Sequence, residues 1–152
     1  TTLFVPPCGK SFDINKSEEL YFCPSSWSRR ATRYIGFYVN KAVRMVGHVA
    51  KIAHCDIDGK SIRSISSDGN ALALSEDEKQ RILRAAQKAF EMNGWQISEG
   101  HQFYLCDAVR ETDFKKISPG VIMGHRYFDL NEYGNSKNLD GLADILREKE
   151  WS

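Results

Sequence analysis

The chain has 152 residues, 41% of them hydrophobic and 27% charged, and a formal net charge of only +1 at pH 7. These values are typical of one soluble globular domain, and no apolar run reaches the roughly 20 residues that a membrane-spanning helix needs. A signal-peptide pattern is also absent from the start, so we expect a cytoplasmic protein. Because the chain begins with Thr1 instead of Met, we expect a domain excised from a larger multidomain protein.

Two short strands are predicted near the start of the chain, at residues 3–5 and 20–23, where apolar residues run together. Pro6 and Pro7 end the first strand, because proline cannot donate to a β-ladder. Residues 10–18 are mostly polar, and we predict a loop there. A second loop at residues 24–30 holds one large aromatic residue, Trp27, among serines and arginines.

The longest strand pair is predicted at residues 34–39 and 43–52, joined by a tight turn at Asn40-Lys41. Gly36 and Gly47 lie inside these strands, where glycine usually marks a bulge, a bend of a barrel or a close approach of another backbone or a ligand. Both faces of this hairpin carry apolar residues. We therefore expect it at the centre of a closed or nearly closed sheet.

The clearest helix is predicted at residues 76–93. Ser75 and Glu78 have the spacing of a capping box, and an apolar stripe with helical period follows them. Asn93-Gly94 supplies residues that tolerate a left-handed end. Before this helix we predict a turn at residues 57–60, a strand at 62–65 and a loop at 66–70.

The last third of the chain is predicted to contain a strand at residues 101–106, a turn-bearing connector at 113–120 and a strand at 124–130. A helix capped by Asn138 follows at 139–150. This order predicts an α+β fold: a small bent mixed β-sheet or β-barrel of about five to seven strands with helices near 76–93 and 139–150. Neither repeats nor linkers interrupt the chain, so residues 1–152 are expected to form one domain.

The four cysteines, at positions 8, 23, 55 and 106, form no C-x-x-C pair and lie within or beside apolar runs. This spacing argues against a zinc site and a disulfide framework, so we expect reduced thiols and no metal. His48 and His54 lack a carboxylate or thiolate at a matching offset, which also argues against a metal. Phosphate-binding glycine loops and nucleophile-elbow motifs are absent from the sequence, so neither a cofactor nor a catalytic residue is predicted.

The charges are unevenly distributed along the chain. No acidic residue occurs between Glu19 and Asp56, although this stretch is rich in arginine and lysine. A segregated basic surface favours a polyanionic partner, whereas the alternative is a merely solvated face. We predict that five of these residues contribute to one phosphate-binding surface: Arg29, Arg30, Arg33, Lys41 and Arg44.

Aromatic residues lie in or beside the predicted strands and the basic loop. A nucleobase stacked on an aromatic side chain gains about 1–3 kcal/mol. We predict a pocket for a flipped-out base with Trp27 as one wall and with Tyr38 and Tyr21 as weaker candidates. The alternative is that these aromatic residues belong to the core, with Trp27 closing one end of a barrel.

Two segments resemble a known family. The strand Tyr34-Ile-Gly-Phe-Tyr38, the basic turn and the pattern Val43-x-x-Val46-Gly47-x-Val49-x-x-Ile52 resemble the central strands of the PUA-like barrel superfamily, which includes the EVE, YTH and ASCH domains. Residues 114–120, followed by Arg126-Tyr127-Phe128, resemble the closing segment of EVE and YTH domains. The resemblance covers residues 18–130, and the helix at 139–150 has no place in the family pattern.

The resemblance implies a nucleic-acid-binding domain that recognises a modified base. It also implies fusion or association with a nuclease or NTPase module, as in modification-dependent restriction or defence systems. We favour DNA over RNA as the partner, and the choice between them stays open. Two alternatives remain open. The first is a small ASCH-like enzyme acting on modified nucleosides, for which Lys41, Glu111 and Thr112 are candidates, and the second is a protein-interaction module that docks through Trp151.

Overall fold

The computed structural model describes residues 1–134 and 136–152. These residues contain three α-helices: α1 (Phe12–Glu18), α2 (Glu76–Asn93) and α3 (Leu139–Arg147), with a single 3-10 turn at Leu130–Glu132. They also contain eight strands: β1 (Thr2–Val5), β2 (Leu20–Pro24), β3 (Tyr34–Val39), β4 (Ala42–Asp58), β5 (Ser61–Ile65), β6 (His101–Lys116), β7 (Arg126–Asp129) and β8 (Glu150–Trp151). Within the same residues, no helix has the length and apolar character needed to cross a bilayer.

The fold class is α+β with a mixed sheet, as predicted. β1 pairs in parallel with β3 and antiparallel with β7, and the strand order is β2-β6-β4-β3-β1-β7, with β5 on β4 and β8 on β6. The chain forms two compact units. Unit 1 comprises Thr1–Phe12, Thr32–Val49 and the described part of Asp107–Ser152, and unit 2 comprises Asp13–Ala31 and Ala50–Cys106. Strands β4 and β6 each supply residues to both units.

Unit 1 is built on the β3–β4 hairpin, whose turn forms where it was predicted. Asn40 and Lys41 have φ angles of 53° and 64°. Two successive left-handed residues define the turn type whose twist matches that of the flanking strands. Aliphatic side chains of the hairpin and of β1 pack with the aromatic rings and α3 of the same unit, in a core that includes Leu3, Val5, Val43, Val46, Phe114, Leu142, Leu146 and Trp151.

The end of the chain departs from its predicted helix. Helix α3 begins as predicted, because the Asn138 side chain accepts a hydrogen bond of 2.8 Å from the Gly141 amide. It stops at Arg147, and the chain continues as β8, which pairs in parallel with β6 at Lys115 and Lys116. Helix propensity at residues 148–150 is therefore overridden by a sheet partner that is remote in sequence.

Unit 2 is organised around α2. Its capping box is present, with the Glu78 amide donating to Ser75 Oγ at 3.1 Å and the Ser75 amide donating to Glu78 Oε1 at 2.7 Å. Gly94 ends the helix at a φ of 70°. The apolar stripe of α2 packs into a core that includes Ile14, Leu20, Phe22, Ala53, Ile82, Ala85, Ala89, Phe103 and Leu105.

Three other expectations need correction. Residues 12–18, within the predicted loop, form α1, a helix too short to display an apolar period; its Ile14 is buried and its Asn15 side chain donates to the Leu20 carbonyl at 3.0 Å. The predicted connector is strand as far as Lys116, since β6 continues there beside β8. The described residues therefore contain eight strands, more than the five to seven expected.

Candidate functional site

Unit 2 contains an open cleft of about 560 Å3. The cleft is lined on one side by the β4–β5 hairpin and on the others by loop residues. Its lining is rich in hydroxyl groups and includes one histidine and one arginine–carboxylate pair: Ser25, His54, Cys55, Asp56, Arg63, Ile65, Ser66, Ser67, Gly69 and Gly100.

The register of the hairpin places the charged pair of the cleft. Gly59, at a φ of 62°, lies in the turn, so that Asp56 stands directly opposite Arg63. Arg63 Nη2 donates to Asp56 Oδ2 at 2.7 Å, and the Gly100 amide donates to Asp56 Oδ1 at 2.9 Å. These hydrogen bonds hold the pKa of the Asp56 carboxyl below its usual value, so that the group is ionised at neutral pH.

His54 lies between two serine hydroxyls. Its Nδ1 is 2.9 Å from Ser25 Oγ and its Nε2 is 3.3 Å from Ser67 Oγ. In either neutral tautomer one serine donates to the ring and the other accepts from it. Because serines occupy both ring nitrogens, the imidazole lacks the carboxylate partner that orients the base of a catalytic triad. The arrangement suits hydrogen-bonding recognition better than nucleophilic catalysis.

Cys55 also contributes to the lining without supplying a nucleophile. Burial, and then the neighbouring charge of Asp56, raise the pKa of the Cys55 thiol to about 12. A thiol in this state is protonated at neutral pH, and the thiolate is the reactive form. All four cysteines of the chain are free and buried.

Trp27 stands on the loop that borders the cleft. The Trp27 amide donates to the Pro24 carbonyl at 3.1 Å, which closes a turn that also contains Ser25 of the lining. The Gln102 side chain fixes this turn by donating to the carbonyls of Pro24 and Trp27, both at 3.0 Å. The indole is 49% exposed, and the Arg29 guanidinium carbon lies 5.1 Å from its centroid. The turn therefore presents a positioned aromatic side chain with a cation over its ring.

Comparison with protein-family models, with curated proteins and with solved structures finds no match to this chain. The resemblance to PUA-like domains accordingly remains a prediction.

The other two aromatic residues of the predicted pocket are buried. Tyr38 packs against Trp151 in the core of unit 1, with ring centroids 6.0 Å apart. Tyr21 is buried in unit 2, and its ring lies edge-on to Tyr104 at 5.8 Å. The sequence of a strand does not distinguish an aromatic residue that faces the core from one that faces a ligand. Of the three candidates, Trp27 is the exposed residue.

The predicted phosphate-binding residues are divided between the units. Arg29 and Arg30 lie in unit 2, with the Arg29 guanidinium over the Trp27 ring, whereas Arg33, Lys41 and Arg44 lie in unit 1. Arg30, Arg33 and Lys41 are exposed.

Arg44 and Lys41 have partners within unit 1. Arg44 Nη1 is 3.0 Å from Asp113 Oδ1, and its other nitrogens donate to the carbonyls of Val39 and Asn40. Lys41 Nζ donates to the Ser118 carbonyl at 3.2 Å. An arginine that already holds a carboxylate is a weaker phosphate ligand, so Arg44 is the least favourable member of the predicted set.

The residues named for an ASCH-like enzyme are not brought together. The Thr112 hydroxyl is buried and donates to the Ala143 carbonyl at 2.7 Å. The Lys116 amide donates to the Lys41 carbonyl at 2.9 Å, so Lys41 stands beside Lys116. Glu111 precedes Lys116 by five positions in β6, a separation of about 16 Å along a strand.

Trp151 does not present a docking surface, which corrects the second alternative. It is buried, and its Nε1 donates to the Phe114 carbonyl at 3.1 Å.

Sequence reasoning missed most residues of the cleft. The Asp56–Arg63 pair could have been found, because a turn centred on Gly59 places these residues opposite each other. The contacts of His54 could not have been found, since Ser25 is 29 positions away and belongs to a loop with no recognisable motif.

Proposed function

We propose that this chain is a nucleic-acid-binding domain that holds an unpaired base against Trp27 and at the neighbouring cleft of unit 2. The observation that carries the proposal is the half-exposed indole of Trp27 with the Arg29 guanidinium 5.1 Å from its centroid, on a turn fixed by Gln102. An exposed tryptophan on a rigid support loses little entropy when a base stacks on it.

The charges beside Trp27 fit a nucleotide. A base stacked on the indole brings its phosphates towards Arg29 and Arg30. Guanidinium groups bind phosphate through paired hydrogen bonds, and they position the strand without reading its sequence. Stacking supplies about 1–3 kcal/mol for each base, and the arginines add an attraction that depends on salt.

The cleft supplies the polar groups that stacking lacks. Its volume of about 560 Å3 lies within the range of about 300–1,000 Å3 that is typical of small-ligand sites. Ser25, Ser67 and His54 are suited to the polar edge of a base. Hydrogen-bonding groups of this kind reject a base that leaves them unpaired, whereas one buried methyl group contributes only about 0.8 kcal/mol.

The proposal includes the finer expectations from the sequence. The α+β domain is of the PUA-like type, the base is modified and flipped out of DNA, and the domain works with a nuclease or NTPase module. Arginines beside an aromatic platform support a polyanion partner, and the hydroxyl-rich cleft supports recognition of polar groups on the base.

A titration that separates stacking from charge tests the proposal. Trp27→Ala should weaken binding of a modified oligonucleotide about five- to 100-fold, as expected when one base no longer stacks on an aromatic ring. Trp27→Phe retains an aromatic face and should recover part of the affinity. Arg29→Ala combined with Arg30→Ala should instead reduce the slope of log affinity against log salt by about 0.9 for each duplex phosphate that the protein no longer neutralises.

Lys149→Ala removes an exposed cation remote in sequence and serves as the charge control. Thermal unfolding shows whether each variant is folded. If folded Trp27→Ala keeps full affinity and full preference for the modification, the base does not stack on Trp27. Absence of salt-sensitive binding by the wild type to any oligonucleotide would exclude the nucleic-acid function itself.

A further inference from the structure

One loop of unit 1, residues 117–124, projects large apolar side chains into solvent. Ile117 is 60% exposed, Val121 is 61% exposed and Met123 is 98% exposed. Single exposed apolar residues are ordinary, but three within seven positions form a patch of the kind that marks an interaction surface. None of them belongs to the cleft of unit 2.

The base of this loop is firmly held by Lys116. Its ammonium lies within hydrogen-bonding distance of four oxygens: the carbonyls of Ser118, Pro119 and Gly120 at 3.0–3.1 Å and Ser118 Oγ at 2.6 Å. Lys41 Nζ adds a hydrogen bond to the Ser118 carbonyl at 3.2 Å. These hydrogen bonds fix the backbone of residues 118–120, which lie between Ile117 and Val121.

The charges around the loop are mainly positive. Burial, and after it the nearby charges of Lys41 and Arg126, lower the pKa of the Lys116 ammonium. Lys115 and Arg44 share the carboxylate of Asp113, at 3.2 and 3.0 Å. Glu150 stands opposite Lys115 in the β6–β8 register. The cations named here therefore outnumber the carboxylates. The cations are Lys41, Arg44, Lys115, Lys116 and Arg126, and the carboxylates are Asp113 and Glu150.

We infer that this loop is an apolar wedge that enters a nucleic-acid duplex, with Met123 between base pairs and with Lys41 and Arg126 near the flanking phosphates. The inference rests on the proposed function, because a wedge acts on a duplex only if the protein binds nucleic acid. Apolar side chains such as methionine, isoleucine and proline unstack base steps in this way. The excess of cations favours an anionic partner. Met123, which is almost fully exposed, is a single side chain and so fits the space between two neighbouring base pairs.

A duplex carrying one 2-aminopurine tests the wedge, because this base fluoresces more strongly when it is unstacked. The wild type should raise the fluorescence on binding. Val121→Ser combined with Met123→Ser should lose most of this rise and bind the duplex about tenfold more weakly, with an unchanged salt slope because no charge is removed. Met92→Ser, at a position 53% exposed on α2, is the matched control and should behave as the wild type.

The outcomes distinguish the wedge from the proposed function. If the Val121/Met123 variant unstacks the duplex as well as the wild type does, the wedge is wrong, while loss of affinity in Trp27→Ala still supports the base platform. If the variant keeps duplex binding but loses binding to phosphatidylserine vesicles, the loop docks on a membrane surface and the inference falls. If the wild type binds no nucleic acid, both proposals fail.

Discussion

Gly36 lies in β3 at a point where three aliphatic side chains converge. A Cβ atom at this position would lie 2.8 Å from Val43 Cγ1, 3.3 Å from Val5 Cγ2 and 3.4 Å from Leu3 Cδ2. The register of the β3–β4 pair also shifts immediately afterwards, between Phe37 and Tyr38. The space at this glycine is thus limited by neighbouring side chains, whereas the sequence had suggested another backbone or a ligand.

Gly36→Ala should destabilise the protein by about 1–3 kcal/mol, because the branched Val43 side chain cannot move aside without disturbing the core. Denaturation in urea measures the free energy of unfolding. Gly9→Ala is the control, since a Cβ there has no other atom within 4 Å and the residue is not left-handed. Equal stabilities of the two variants would show that the core of unit 1 accommodates the methyl group.

At the scale of the element, helices α1 and α2 are joined by one carboxylate. Glu18, buried at the end of α1, accepts from Arg84 Nε at 2.8 Å and from Lys88 Nζ at 2.6 Å. Arg81 donates to the carbonyls of Glu18 and Glu19, at 2.8 and 2.6 Å, and so satisfies the C-terminal end of α1. Burial by itself would raise the pKa of the Glu18 carboxyl, but Lys88 and Arg84 outweigh it and lower the pKa.

Glu18→Gln should therefore reduce stability at pH 7 by about 1–3 kcal/mol, the usual effect of losing hydrogen bonds to a charged group. Because the folded pKa lies below the unfolded value, the advantage of the wild type is present above the ordinary pKa of 4.5 and is lost as the pH falls through the folded pKa. Urea denaturation between pH 7 and pH 3 measures this. The control is Glu91→Gln, on the exposed face of α2, whose free energy of unfolding should differ little from that of the wild type at any pH. If Glu18→Gln remains less stable than the wild type at pH 3, the lowered pKa of Glu18 is not the source of the difference.

For the whole molecule, the prediction of one domain means that the two units should unfold cooperatively. The two units have separate apolar cores, but β4 and β6 supply strands to both. Because both strands run from one unit into the other, unfolding one unit alone would have to interrupt β4 and β6 within their length. We therefore expect the units to unfold in a single transition.

Tryptophan fluorescence can follow each unit separately. Trp27→Phe with Trp95→Phe leaves Trp151 to report on unit 1, and Trp27→Phe with Trp151→Phe leaves Trp95 to report on unit 2. Within each variant, the urea midpoint from fluorescence should coincide with that from far-ultraviolet circular dichroism. If, in either variant, the fluorescence midpoint lies at a lower or higher urea concentration than the circular-dichroism midpoint, the two units unfold as separate domains.

The sequence by itself determined the elements whose signals are local. The capping box and Gly94 of α2, the Asn40-Lys41 turn and the start of α3 at Asn138 each depend on residues within a few positions, and all of them formed as predicted. Tertiary structure decided the rest, because burial and convergence depend on partners far apart in the chain. It buried Tyr21 and Tyr38 while leaving Trp27 exposed, and it brought His54 between Ser25 and Ser67. It also ended α3 early, because residues 150–151 pair with residues 115–116 of β6, and no local sequence pattern predicts this pairing.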